Sequence, residues 1–319
     1  MMTRFIIRRL IQALFVLIIV TVLVFLAVRL LPGDPILMII SQSEVNEITQ
    51  EDIDALRHEY GLDRPLTVQY FDWLLHVARG DFGESIVLAE PVMKEIKRRF
   101  PITLHLSLLA FIISILVGIP TGIICAVRRG KWADTVMTIL ANIGITVPIF
   151  WLGIMMIYFF SLYLHWLPVY GYTSPFVDFT KSVKQQIMPV ICLSIFSIAS
   201  LSRQTRSSML EVMQQDYIRT AWSKGFAERY IIFRHALKNS LIPIVTLLGL
   251  SFSHIIGGSV LIETVFNIPG LGRMAVNAVF AQDYSVVQGF TFLIAVFILL
   301  TNLVVDISYG WLDPRIRYE

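Results

Sequence analysis

The fold class this sequence predicts is all-α: a polytopic membrane protein with six transmembrane helices and a small helical domain outside the membrane. Three observations predict it. Hydrophobic residues make up 56% of the 319 residues and charged residues only 15%, against about 45–50% and about 25% in soluble domains. The apolar residues gather into charge-free runs long enough to cross a bilayer. Lys and Arg gather in alternate gaps between those runs.

The first run, Leu10–Val28, follows Arg4, Arg8 and Arg9. A cleaved signal peptide also starts basic, but its apolar core is about 7–15 residues long and ends at a small-residue cleavage site. Here "AVRLLPGDP" follows instead, which favours a retained helix. Five more charge-free runs come after it: Ile102–Val127, Thr135–Val177, Gln185–Ser202, Asn239–Ile262 and Tyr284–Val305. About 20 helical residues cross a hydrocarbon core of about 30 Å. The long run from Thr135 holds one helix at about 135–161, because "HWLPVYGYTSP" reads as interfacial loop. The run at 185–202 carries Ser194, Ser197, Ser200 and Ser202, so it packs inside a bundle rather than facing lipid.

Orientation follows from the basic residues. The N-terminus, the 128–134 loop, the 203–238 loop and the C-terminus hold fifteen Lys and Arg against three in the alternate short loops. Both termini are therefore expected in the cytoplasm. Residues 1–31 form the N-terminal tail and first span, 32–100 a helical extracytoplasmic domain, and 101–319 a five-helix core carrying the cytoplasmic loop 203–238. The outer segment has seven basic and thirteen acidic residues. It starts a helix at Asp34-Pro35 and places Ile48, Ile53, Leu56 and Tyr60 at helical spacing before Gly61 and Pro65. Two uses fit such a cap resting on the membrane surface: a structural lid, or a docking surface for an outside partner.

The loop "DYIRTAWSKGFAERY" at 216–230 is charged and Gly-punctuated between oily runs. Ser208 and Glu211 have capping-box spacing, and Gly225 stands where a helix-ending glycine belongs. They predict an amphipathic helix over 209–224 with Met213, Tyr217 and Ala221 on one side and Ile218 and Trp222 beside them. Such a helix either lies among lipid headgroups or inserts into a groove on a partner.

On these residues the loop resembles the "EAA…G" cytoplasmic loop of permease subunits of ABC importers. Ala221 and Gly225 match the motif, and Arg219 stands at its Glu position. "DYIRTA" with the "KG" at 224–225, followed by "HALKNSLIP", resembles the dipeptide/oligopeptide (and nickel) permease family. "LPGDP" at 31–35, "YGLDRPL" at 60–66, "GDFGES" at 80–85, "RSSMLEV" at 206–212, "ETVFNIPGLGR" at 263–273 and "DPRIR" at 313–317 resemble that family's landmarks in the same order.

The resemblance implies the ABC importer type I permease fold and a bacterial inner-membrane location. It implies an importer of di- or oligopeptides, or of glutathione, a nickel chelate or another small solute. Implied partners are a second homologous permease subunit, two ABC ATPase subunits, an extracytoplasmic solute-binding protein and membrane lipid. No cofactor is expected in this chain; ATP and magnesium belong to the partner subunits. The implied ATPase-coupling residues are Glu211, Asp216, Tyr217, Arg219, Thr220, Ala221, Lys224 and Gly225. Glu263, Pro269, Gly270, Leu271 and Gly272 form either an outer gate or a purely structural turn.

Other chemistry is missing from the sequence. No GxxxxGK[ST], HExxH or GxSxG occurs, which disfavours nucleotide hydrolysis, metalloprotease and hydrolase chemistry in this chain. A net charge of +3 does not suggest nucleic acid. His105 and His254 lie in spans, where a lone histidine hydrogen-bonded between helices competes with a pathway-lining one. Gly118 and Gly122 predict close helix packing. Pro148 and Gly257-Gly258 are candidate helix breaks. Cys125 and Cys192 are expected to be buried packing residues. An ATP-independent channel or carrier is the competing class.

Overall fold

The computed structural model describes residues 2–30, 49–59, 61–85 and 87–312. The "LPGDP" stretch with its Asp34-Pro35 helix start, Ile48, Tyr60 and the "DPRIR" stretch lie outside the described residues. The described chain is helical: α1 Met2–Arg29, α2 Gln50–Glu59, α3 Leu66–Ala78, α4 Val92–Val127, α5 Trp132–Thr146 and α6 Ile149–Met156 with its π-helical extension Ile157–Tyr163. Then come α7 Phe179–Met213, α8 Asp216–Ser223, a run of Glu228–Tyr230 and π-helical Ile231–Leu237 into α9 Lys238–Val265, α10 Leu271–Phe280 and α11 Tyr284–Leu312. The β pairing among the described residues is one isolated bridge, Glu84 with Pro91. Five helices are long and apolar enough to cross a membrane, and the bent pair Trp132–Thr146 with Ile149–Tyr163 makes six.

Two compact units result. The first comprises Met1–Arg8, Thr103–Ile268 and Leu300–Glu319. Here α7 packs against both α5 and α9. Its serine-rich face is buried, including Ser194, Ser197 and Ser202, as the sequence leads one to expect. The Gly118/Gly122 pair seats α4 on α7: a Cβ at Gly122 would stand 2.5 Å from the Ser202 carbonyl and from Thr205 Cβ. Only a hydrogen lets the two backbones approach so closely.

Several expected boundaries are corrected. The helix of the second span starts at Val92, ten residues before the charge-free run that begins at Ile102. The third is not one helix over 135–161. It breaks at Val147-Pro148 and turns by 104°, since Pro148 has no N–H and pushes Val147 into extended backbone (φ −72, ψ 126). By contrast α9 runs unbroken through Gly257-Gly258. The fourth span helix continues past Ser202 to Met213, so Ser208 and Glu211 sit in its last turns and start nothing. Ser208 is buried and its Oγ accepts from Gln204 Nε2 at 3.1 Å.

The second unit comprises Arg9–Ile102 and Pro269–Leu299. Its core joins Val77, Phe82, Val92, Ile96, Leu271, Met274, Ala278 and Val286. Thr49 and Asp52 close a reciprocal cap on α2: Thr49 N and Oγ1 donate to the Asp52 carboxylate at 3.0 and 2.7 Å. Those bonds hold the Asp52 carboxyl below its usual range. The expected stop at Gly61 is present, with φ +63 and Leu62 N donating to the Arg57 carbonyl at 2.8 Å. Asp283 caps α11, accepting from Val286 N at 3.2 Å, and also accepts from Ser85 Oγ at 2.5 Å. That bond ties the "GDFGES" loop to the start of the last span.

Candidate coupling site

After α7 ends, Gln214 and Gln215 make an elbow, with Gln215 extended at φ −70, ψ 148. Asp216 then opens α8, where a carboxylate suits the positive end of the helix dipole. The helix ends as the sequence predicts. Lys224 is the C-cap, and Gly225 follows at φ +78. Gly225 N donates to the Trp222 carbonyl at 2.9 Å and Phe226 N to the Ala221 carbonyl at 3.4 Å, the paired bonds of a Schellman stop. A Cβ at Gly225 would meet nothing within 4 Å, so left-handed backbone, not crowding, is what asks for glycine there.

The helix is shorter than the predicted 209–224, and its buried stripe is different. Ile218 (0% exposed) and Ala221 (6%) face inward. They pack with Ala126 at the end of α4, Met209 on α7, and Ile231, Ile232 and Ala236 in the next helical run. Ala221 is therefore a packing residue against its own chain. Outside stand Glu211, Asp216, Arg219, Thr220, Lys224 and Gly225, with Tyr217 and Trp222 at 43% and 44% exposure. Asn239 Nδ2 donates to Tyr217 Oη at 2.9 Å and so steadies that ring. Thr220 Oγ1 donates to the Asp216 carbonyl at 3.0 Å. The Arg219–Asp216 pair at 3.3 Å is fully solvated and adds little stability.

The sequence reading missed two features. Phe226 and Tyr230, with ring centroids 5.3 Å apart, are both exposed and extend the aromatic surface beyond Gly225. The other is a clamp: Arg206 on α7 donates Nε and Nη2 to both oxygens of Asp134 at 2.7 and 2.8 Å, and Gly130 N adds a 3.0 Å bond. Asp134 is buried. The only sequence signal was a carboxylate beside the basic 128–131 loop at the start of an apolar run.

The expected gate residues fall in different units. In the first, Glu263 is fully buried and accepts from Thr103 Oγ1 at 2.6 Å. In the second, Gly270 caps α10 in extended backbone, Leu271 and Gly272 are buried and Pro269 is exposed. His105 Nδ1 lies 3.1 Å from Tyr172 Oη, and the His254 ring stacks on Phe196 at 4.2 Å. Both histidines thus have neighbours that suit a packing role. Cys125 and Cys192 are free and buried. Among the described residues no cluster of three or more His, Cys, Asp or Glu could hold a metal ion.

Residues 118–318 match the family described as binding-protein-dependent transport system inner membrane component, and residues 2–107 match its N-terminal companion. The chain belongs to this family. It is 44% identical, over the whole of both chains, to a putative peptide transport system permease protein of Brucella melitensis biotype 1. Identity is 42% to a probable peptide ABC transporter permease of Sinorhizobium fredii, covering 98% of this chain and 99% of that one. It is 41% to a glutathione transport system permease of Salmonella typhi, covering all of both. The fold resembles an inward-facing structure of the MetNI methionine ABC transporter, with a TM-score of 0.57 at 18% identity, over 69% of this chain and 97% of that chain. The chain is a multi-pass membrane protein, the permease component of an ABC importer.

Proposed function

We propose that this permease subunit imports di- or oligopeptides and draws its driving force from ABC ATPase subunits that grip α8. The end-to-end identity of 44% with a peptide permease carries the substrate class. Residues 101–319 would be the core that forms half of the pathway, 32–100 the extracytoplasmic part, and both termini cytoplasmic, as the basic residues dictate. A second homologous permease, two ATPases holding ATP and magnesium, and an external solute-binding protein complete the assembly.

The coupling role rests on how α8 is mounted. Its outer surface offers Tyr217, Arg219, Thr220, Trp222, Lys224 and Gly225, while Ile218 and Ala221 lock it to α4, α7 and the run into α9. A displacement of α8 by closing ATPases is thereby passed to three spans together. The ATPases must contact α8 differently in their open and closed states, because equal contact shifts no equilibrium. Catalysis stays in the partners, and the inner membrane of a bacterium is the site of action. Glutathione is the second substrate class, favoured by the full-length likeness to a glutathione permease.

The test uses the assembled transporter in nanodiscs with its binding protein. Lys224→Glu combined with Trp222→Ala should lower peptide-stimulated ATP hydrolysis by about tenfold, the size of one lost coupling contact, with membrane insertion normal. Wild-type stimulation in that variant would refute the docking role. Stimulation by glutathione and not by peptides would move the substrate class.

A further inference from the structure

Helices α2 and α3 stand next to each other in the sequence but differ in surface. Gln50–Glu59 carries Glu51, Asp52, Asp54, Arg57, His58 and Glu59, whereas Leu66–Ala78 has Asp72 as its single acid and no Lys or Arg. One side of α3 packs inward through Gln69, Tyr70, Trp73 and Val77. The opposite side shows Val68, Phe71 and Leu75 at 42%, 61% and 56% exposure. These recur at helical spacing and make an uncovered apolar edge.

Depth decides what covers that edge. Tyr70 Oη lies 3.0 Å from Thr21 Oγ1. Because Thr21 already donates to the Ile18 carbonyl at 2.8 Å, Tyr70 is the donor. The Tyr70 and Trp73 rings also meet Phe25, at 5.5 and 6.2 Å. Thr21 and Phe25 lie inside the first span, which ends at Arg29, so the contacts are about 6–12 Å below that end at 1.5 Å per residue. The last span gives the same depth independently. Trp73 meets Phe292 at 6.5 Å, about 12 Å of helix below Tyr284, where that span begins. The two spans are 23 and 22 residues long, so their ends stand only about 2 Å beyond a hydrocarbon core of about 30 Å. The polar edge of α3 fits this placement. Asp72 pairs with Arg64 at 3.1 Å, and His76 Nδ1 lies 2.7 Å from the Asp72 carbonyl, beside a polar cleft that also holds Arg29 and Asp81.

We propose that α3 is an interfacial membrane helix, sunk beside the first and last spans, with its Val68–Phe71–Leu75 edge covered by lipid acyl chains. It is deeper than a cap resting on the surface, and its cover is lipid rather than a partner protein. The immersion continues the lipid-facing surface of α1, where Leu23 and Leu26 are exposed. Helices of this kind sink about 5–10 Å into the boundary between headgroups and chains.

Spin labels at Phe71→Cys and Leu75→Cys, in the full chain with its partner subunits, test this in nanodiscs of phosphatidylethanolamine and phosphatidylglycerol. Cys125→Ala and Cys192→Ala remove the native thiols. The ratio of oxygen to nickel–EDDA collisions at 71 and 75 should match that at Leu23→Cys and exceed that at Asp54→Cys, because an immersed helix excludes the polar reagent and concentrates the apolar one. A ratio equal to that at Asp54 overturns the proposal. So does exclusion of both reagents, the mark of a covering protein. A photoreactive benzoylphenylalanine at position 71, in the otherwise unaltered chain, should gain the mass of one phospholipid in native membranes. A protein adduct, or none, overturns it.

Discussion

At the scale of single residues, Gly225 and Ala221 illustrate two different demands. Gly225 is needed for its backbone, and Ala221 for its size. A β-branched side chain in left-handed backbone costs about 1–2 kcal/mol. Gly225→Val should therefore loosen the end of α8 and lower peptide-stimulated ATP hydrolysis, while Gly225→Asn, which tolerates that conformation, should retain most of it. Ala221→Leu should act through packing, destabilising by about 1–3 kcal/mol as an overfilled core does, and a drop in melting temperature before any partner is added will show it. Charged substitutions at Ala221 cannot test docking cleanly, because the side chain faces Met209 and Ile231. The Asp134–Arg206 clamp predicts a third result. Arg206→Met leaves a buried carboxylate without its main donor and should cost about 1–3 kcal/mol. Adding Asp134→Leu should recover part of it, as a double-mutant melting cycle would reveal.

At the scale of elements, Gly122 and Gly257 make a matched pair. A Cβ at Gly122 collides with Ser202 and Thr205, whereas one at Gly257 meets nothing within 4 Å. Gly122→Leu should abolish the monodisperse peak in size-exclusion chromatography, and Gly257→Ala should leave it unchanged, within about 0.5 kcal/mol of wild type. The six-fold recurrence of charge-free runs was legible because hydrocarbon imposes it residue by residue. The breaks were half legible: Pro148 announces one through its missing N–H, yet Gly257-Gly258 announces one that packing does not take up. The far end of α7 was not legible at all. Arg203 to Ser208 reads as polar loop and Met209 as the start of a separate helix, but Arg206 finds Asp134, 72 positions away, and Met209 finds the α8 core. Those contacts are tertiary, so no window of local sequence contains them. In the loop, the stop at Gly225 could be read because it is local. The buried stripe was misplaced because the helix was started seven residues too early.

On the scale of the whole molecule, the division into two units follows space rather than sequence. Most of the first span, from Arg9, groups with residues 61–102 and with 269–299, while the described residues 300–312 group with 103–268. The helices α1, α4 and α11 each contribute to both units, so neither unit corresponds to an uninterrupted stretch of chain. The break at Pro148 has a consequence of its own for solvation. A helix that stops and restarts leaves peptide groups on either side without intrahelical partners. Oil cannot hydrate them, and a bilayer tolerates such backbone only where protein or water reaches it. Gly144, just before the break, already rests on Ile195 and Ala199, and Gly153, just after it, rests on Val265 and Phe266. The kink therefore lies against two neighbouring helices, and the peptide groups it frees must find their partners in protein or in water held by protein, not in the acyl chains.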